Sequence, residues 1–179
     1  MKKVKYRLFL DHEKEEKWIN DMAVNGWNLE KFAFSRFIFT KGEPGKFVYR
    51  NELISGMSTT EKKDYFEILK DSGITIIQEF GGWIYMKKAV SDGPLEIFTD
   101  IKSKMNYYTR ILSVFLLLFF FNICLGLSNL NFFSNQSNLG FINSTIGFIN
   151  IFVAALITYP IIKIIYRKRN LQREHQFFE

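Results

Sequence analysis

From residue 111 to residue 162 the chain contains no Asp, Glu, Lys, Arg or His. A chain of 179 residues has too little soluble core to bury so long an uncharged run, and the feature points to a membrane. About 20 apolar residues at 1.5 Å each cross a hydrocarbon layer roughly 30 Å thick. Residues 110–130, with ILSVFLLLFFFNICLGLSNL, predict one span, and 141–166, with FINSTIGFINIFVAALITYPIIKIIY, predict a second. The stretch 131–140 between them is rich in Ser and Asn and reads as a polar loop. A two-helix transmembrane hairpin is the natural parse, because one helix over the whole run is far too long.

The flanks set an expected orientation. Lys102, Lys104 and Arg110 precede the first span, and Lys163, Arg167, Lys168, Arg169 and Arg173 follow or close the second, while the loop has no basic residue. The positive-inside rule then predicts a multi-pass protein of the cell membrane with both termini cytoplasmic and an extracytoplasmic loop. Pro160 is expected to kink the second helix near its cytoplasmic end. Asn143, Ser144 and Thr145 are expected at the outer interface, although with Asn150 they have the chemistry to bond Asn122 of the first span. Without a charged residue between Arg110 and Lys163, a transport path is not expected.

Outside the spans the chain is ordinary charged material, so the whole-chain mean hydropathy of −0.03 averages two unlike parts. Residues 1–109 hold 18 Lys or Arg against 16 Asp or Glu. Most of the net +6 therefore sits at Arg110 and in the basic tail 167–179, next to the apolar segments. A balanced soluble domain lacks the basic stripe that neutralises phosphates, so direct nucleic-acid binding is not expected. The single Cys124 excludes an intramolecular disulfide and a cysteine metal site. Charges resume at Asp11, so the N-terminal stretch does not read as a signal peptide.

The N-terminal region predicts a duplicated unit. Val4–Leu10 reads as a strand, and Asp11 opens a helix that carries Trp18, Ile19, Met22 and Ala23 at helical spacing and stops at Gly26. Strands Trp27–Ala33 and Arg36–Thr40 follow, then the turn Gly42-Glu43-Pro44-Gly45. The pattern recurs as strand Phe47–Leu53, a helix opened by the capping-box spacing Ser58 to Glu61 and stopped at Gly73, and strands Ile74–Phe80 and Trp83–Lys88. A gapless shift of 47 aligns Trp18 with Tyr65, Ile19 with Phe66, Met22 with Leu69, Gly26 with Gly73, Leu29 with Ile76, Ile38 with Tyr85 and Lys41 with Lys88. The leading strands match at another offset, VKYR at 4–7 against FVYR at 47–50. The predicted class is α+β, with the duplicated strand-helix-strand-strand unit at 1–92 forming an antiparallel sheet with two helices on one face. Pro94 ends it; Leu95–Thr109, within the juxtamembrane segment 93–109, is expected to be helical and to run into the first span.

Catalytic patterns are missing. His12 and His175 are the only histidines, and no metal-ligand spacing, nucleophile elbow or phosphate loop accompanies them. No cofactor and no enzymatic activity are expected. What stands out is aromatic density, because Trp18, Trp27, Phe32, Phe34, Phe37, Phe39, Phe47, Tyr49, Trp83 and Tyr85 all fall on strands or the first helix. Either these rings fill a small core, or some of them, with polar neighbours such as Arg7, line a ligand groove or docking surface. The candidate surface comprises Trp18, Trp27, Glu30, Arg36, Tyr49, Arg50, Glu52, Glu79, Trp83 and Tyr85.

The runs WINDMAVNGWNLEKF, FTKGEPGKFVYRNEL, DYFEILKDSGI and GGWIYMKK resemble the family called "domain of unknown function 2812", over about residues 5–90. Ile74 stands where the family pattern has Trp after the glycine. The resemblance implies a membrane-anchored bacterial protein, often encoded beside PadR-type transcriptional regulators, and it assigns no catalytic residue. The layout is also similar to GyrI-like effector-binding domains, which hold hydrophobic cations between two such units. The expected function is a membrane-anchored cytoplasmic sensing or protein-interaction module in a regulatory circuit with a PadR-type regulator. The expected partners are the lipid bilayer, a protein and a small amphipathic ligand. The alternative is an accessory subunit of a membrane complex such as an exporter.

Overall fold

The computed structural model describes residues 1–33, 35–97, 101–131 and 140–178. The sequence expectations for Phe34, for most of the loop at 131–140 and for the His175 side chain lie outside what is described. The chain forms two compact units, 1–99 and 100–179.

The first unit is α+β. Its elements are β1 (Lys2–Tyr6), α1 (His12–Val24), β2 (Trp27–Ala33), β3 (Arg36–Lys41), β4 (Phe47–Leu53), α2 (Thr59–Asp71), β5 (Thr75–Phe80) and β6 (Trp83–Ala89). Local chemistry sets the helix ends. The buried Asp11 carboxylate accepts the Glu13 N–H at 3.2 Å. Ser58 and Glu61 form the full capping box, with Glu61 accepting the Ser58 N–H at 2.8 Å. Both helices run out into Gly26 and Gly73, at φ 77° and 75°, a region that glycine enters without a Cβ clash.

The strands make two antiparallel three-stranded sheets, ordered β1-β3-β2 and β4-β6-β5. Each sheet shifts register at one matched place, between Leu29 and Lys31 in β2 and between Ile76 and Gln78 in β5. These positions are 47 residues apart, so the duplication extends to its β-bulges.

One detail departs from the predicted single sheet with both helices on one face. Strand β6 alternates between two cores. Trp83 and Tyr85 join Ile19, Ala23, Leu29, Phe32, Phe37, Phe39 and Tyr49 around α1, whereas Ile84 and Met86 join Leu69, Ile74, Tyr65 and Phe66 around α2. Because successive strand residues face opposite ways, the second sheet has a helix-bearing core on each side. Edges β2 and β5 adjoin through a side chain, the Phe32 N–H donating to Gln78 Oε1 at 3.1 Å. Leu95 and Ile97 pack into the second core, so the helix expected from Leu95 does not begin there.

The second unit is two long helices, α3 (Ile101–Asn131) and α4 (Gly140–Phe178). Ile101–Leu130 and Phe141–Arg173 are long and apolar enough to cross a membrane. They pack antiparallel. A Cβ on Gly126 would stand 2.7 Å from Ile151, and one on Gly147 would stand 3.0 Å from Leu130, so both glycines permit close helix approach. Lys168 Nζ donates to Thr109 Oγ1 at 2.8 Å at the other end. Asn122 bonds within its own helix, to the Leu118 carbonyl at 2.8 Å, and Thr145 does the same to Phe141 at 3.0 Å. Pro160 lies within α4, which continues past it to Phe178.

Candidate functional site

The predicted surface residues do not converge on one site. Tyr49 and Tyr85 are buried in the first core, with Trp18, Trp27 and Trp83 packed against it. The rings pack on one another: Trp18 meets Phe37 at 4.9 Å, and Phe32 meets Tyr85 at 4.3 Å. Arg50, Glu52 and Glu79 belong to the other side of the second sheet. There the Arg50 guanidinium donates to the Leu95 carbonyl at 3.2 Å, Tyr65 O–H donates to the buried Glu52, and Lys62 pairs with Glu79. Only Glu30 and Arg36 are exposed together on the first sheet, where Lys2 pairs with Glu30 at 2.6 Å.

A polar seam that pattern reading missed joins the two repeats. Helix α1 presents His12, Glu16 and Asn20 to β4, an outer strand of the second sheet, and Glu15 to β6. Asn20 accepts the Tyr49 N–H at 2.8 Å and donates to the Tyr49 carbonyl at 2.9 Å. Glu16 accepts the Asn51 N–H at 3.3 Å, and Asn51 Nδ2 donates to the His12 carbonyl at 3.2 Å. Tyr85 O–H donates to Glu15 at 2.7 Å. Strand backbone left unpaired at a sheet edge is thus closed by helix side chains.

The electrostatics follow from that burial. Desolvation lifts the Glu15 carboxyl to about 7, against the lowering effect of the Tyr85 hydrogen bond. Glu16 is raised for the same reason, with Arg50 and the Asn51 N–H opposing. Burial and the neighbouring Glu15 push Tyr85 upward, and burial raises Tyr49 to about 12. Asn51 Oδ1 is buried and has no hydrogen-bond partner among the described residues. Glu15 and Tyr85 thus link the two repeats through a part-buried hydrogen bond. Among the described residues no three His, Cys, Asp or Glu side chains are grouped to hold a metal ion.

The seam has an open counterpart. In the first sheet the face turned away from α1 carries Val4, Tyr6, Arg36 and Ile38, linked by the register pairs Val4–Ile38 and Tyr6–Arg36. Their partners under the duplication are Phe47, Tyr49, Trp83 and Tyr85. Tyr6 is 73% exposed where Tyr49 is 2% exposed, and Val4 is 42% exposed where Phe47 packs on the core. Beyond β1, Leu8 and Leu10 are also exposed. The outward stripe of α2, with Lys62, Lys63, Phe66 and Glu67 around a shallow groove, matches the α1 stripe of Glu15, Glu16, Ile19 and Asn20.

The model of the family described as "Protein of unknown function (DUF2812)" matches residues 11–120. The chain belongs to this family. The DUF2812 match runs through the whole second repeat and into α3, so it joins the α+β unit to the first apolar helix. No curated protein and no solved structure matches the chain.

Proposed function

We propose that this DUF2812 protein is a membrane-anchored cytoplasmic interaction module, which docks a protein partner on the open face of its first sheet. The observation that carries the reading is that Val4, Tyr6 and Arg36 are exposed beside a half-buried Ile38 on one face, while their twins in the second repeat pack on the first core. A contiguous exposed apolar patch rimmed by polar residues is the form an interaction site takes. Close ring packing in the first core favours a protein over a small amphipathic ligand as the occupant. The module is read as non-enzymatic and as part of a regulatory circuit, with a PadR-type regulator as the partner implied by the family's usual setting.

The two apolar helices form the anchor in this reading, a multi-pass hairpin with both termini cytoplasmic. Basic residues flank the hairpin on its terminal sides and are absent from 131–140. Lipid suits the surface of the helices, where Leu117, Phe148 and Phe152 are exposed and the polar Asn122 is satisfied within its helix. That surface also supports a second reading, an accessory subunit packed on the helices of a membrane complex such as an exporter.

A photo-crosslinking residue placed at Tyr6 or at Phe148 in native membranes separates the readings. A stoichiometric adduct at Tyr6 supports docking on the sheet. An adduct at Phe148 alone supports the accessory subunit, and the absence of adducts at both sites ends both.

A further inference from the structure

We propose that the outer edge of β1 binds an extended segment of a partner protein, alternating acidic and apolar residues, as an added strand. The inference rests on the docking role given to the first sheet and names the partner's chemistry. Strand β1 is outermost in the order β1-β3-β2, so one of its backbone edges is turned away from β3. The molecule shows what such an edge accepts, because its twin β4 has Tyr49 and Asn51 backbone groups satisfied by the Asn20 amide and the Glu16 carboxylate. None of the described residues does this for β1.

Charge selects the occupant. Lys2, Lys3, Lys5 and Arg7 surround the exposed Val4 and Tyr6. Lys3 and Arg7 lean over the Trp27 and Phe9 rings, at 4.6 and 4.8 Å, and Lys2 reaches Glu30. A second copy of the chain pairing antiparallel about Val4 would set Lys3 against Lys5, and like charges directly opposite are unfavourable. Acidic residues on an incoming strand would meet those same lysines, and its apolar residues would extend the row of Val4 and Tyr6. This is strand addition, in which main-chain bonds give affinity and alternate side chains give specificity.

The test uses the full chain in zwitterionic phosphatidylcholine nanodiscs, with a labelled seven-residue peptide alternating Glu and Val, followed by anisotropy. Saturable binding is expected, and a peptide with Lys in place of Glu should not bind. Joint Lys3→Glu and Lys5→Glu substitution should weaken binding at least about tenfold, with an unchanged near-ultraviolet circular dichroism spectrum showing that the domain remains folded. N-methylation along one peptide edge should abolish binding, and along the other edge should leave it intact. Equal binding of both peptides, indifference to N-methylation on either edge, dimerisation through β1, or no saturation at millimolar peptide would each overturn the proposal. A Tyr6 crosslink to a native partner together with a failed peptide would overturn the strand-addition mode and leave docking on the sheet face standing.

Discussion

The two repeats differ far less in sequence pattern than in what covers them. Both have the same element order, the same glycine stops and the same bulge. The second sheet has a core on both sides, and the first sheet has one side in solvent. The duplication therefore assembled as a stack in which α1 serves both sheets, rather than as a symmetric pair. At two aligned pairs the residue type follows the cover: Trp83 and Ile77 pack on the first core where their counterparts Arg36 and Glu30 are charged and exposed. Terminal units of repeat proteins follow the same logic, because an outer face with no neighbour must remain soluble.

Substituting the twin tyrosines gives the sharpest break in that comparison. Tyr49→Ala should destabilise the first unit by about 3 kcal/mol or more, the usual cost of removing a buried ring. Tyr6→Ala should stay within about 0.5 kcal/mol, as surface changes do. Denaturant unfolding of the full chain in detergent, followed by near-ultraviolet circular dichroism, checks both. Equal losses would mean that the first sheet is not open in solution.

The next effect is a pH dependence confined to the seam. Glu15 is raised from 4.5 to about 7 by burial, so its neutral form is favoured by folding. Its contribution is complete below the unfolded value near 4.5 and fades as pH rises through about 7. The unfolding midpoint should therefore fall between pH 5 and pH 8. For Glu15 the effect is at most about 3 kcal/mol, reduced by residual solvent screening. Glu16 is shifted in the same direction and adds to the slope. Glu15→Gln should flatten the profile without abolishing folding. An unchanged slope would place the titration elsewhere.

Removing the edge clamp comes third. Asn20→Ala frees the Tyr49 N–H and carbonyl together and should cost about 2 kcal/mol, the penalty for buried backbone groups losing their partners. Its twin change, Glu67→Ala on the outward stripe of α2, should be nearly neutral. Hydrogen exchange at the Tyr49 amide separates a local loss of the clamp from general loosening, since only the first accelerates that amide selectively.

Much of this organisation is legible in the sequence, for a physical reason. Caps, glycine stops and alternating strands are set by neighbours within a few residues, and Asp11, Ser58, Gly26 and Gly73 act where the pattern places them. The α+β class and the pair of long apolar helices follow from the same local signals. The sheet partition is not local. Tyr85 faces α1 and meets Glu15, 70 residues away, and alternation alone does not say which face is covered. The aligned pairs did hold a clue, because Arg36 opposite Trp83 and Glu30 opposite Ile77 change character where the environments differ. Among the candidate residues, the rings were legible as a group and their burial was not, since a core ring and a groove ring have the same spacing.

The smallest expected effect tests that clue directly. Exchanging the twins at the β3 and β6 positions asks whether residue identity or position sets the asymmetry. Ile38→Tyr places a ring at a half-buried position between the exposed Val4 and Lys31 and should change stability by less than about 0.5 kcal/mol. Tyr85→Ile removes the hydroxyl that meets Glu15 and a ring lying 4.3 Å from Phe32, so the reciprocal change should be clearly destabilising. If Ile38→Tyr also proves costly, the face of the first sheet is already covered in the isolated chain. The face carrying Val4, Tyr6 and Arg36 would then be internal and closed to a docking partner.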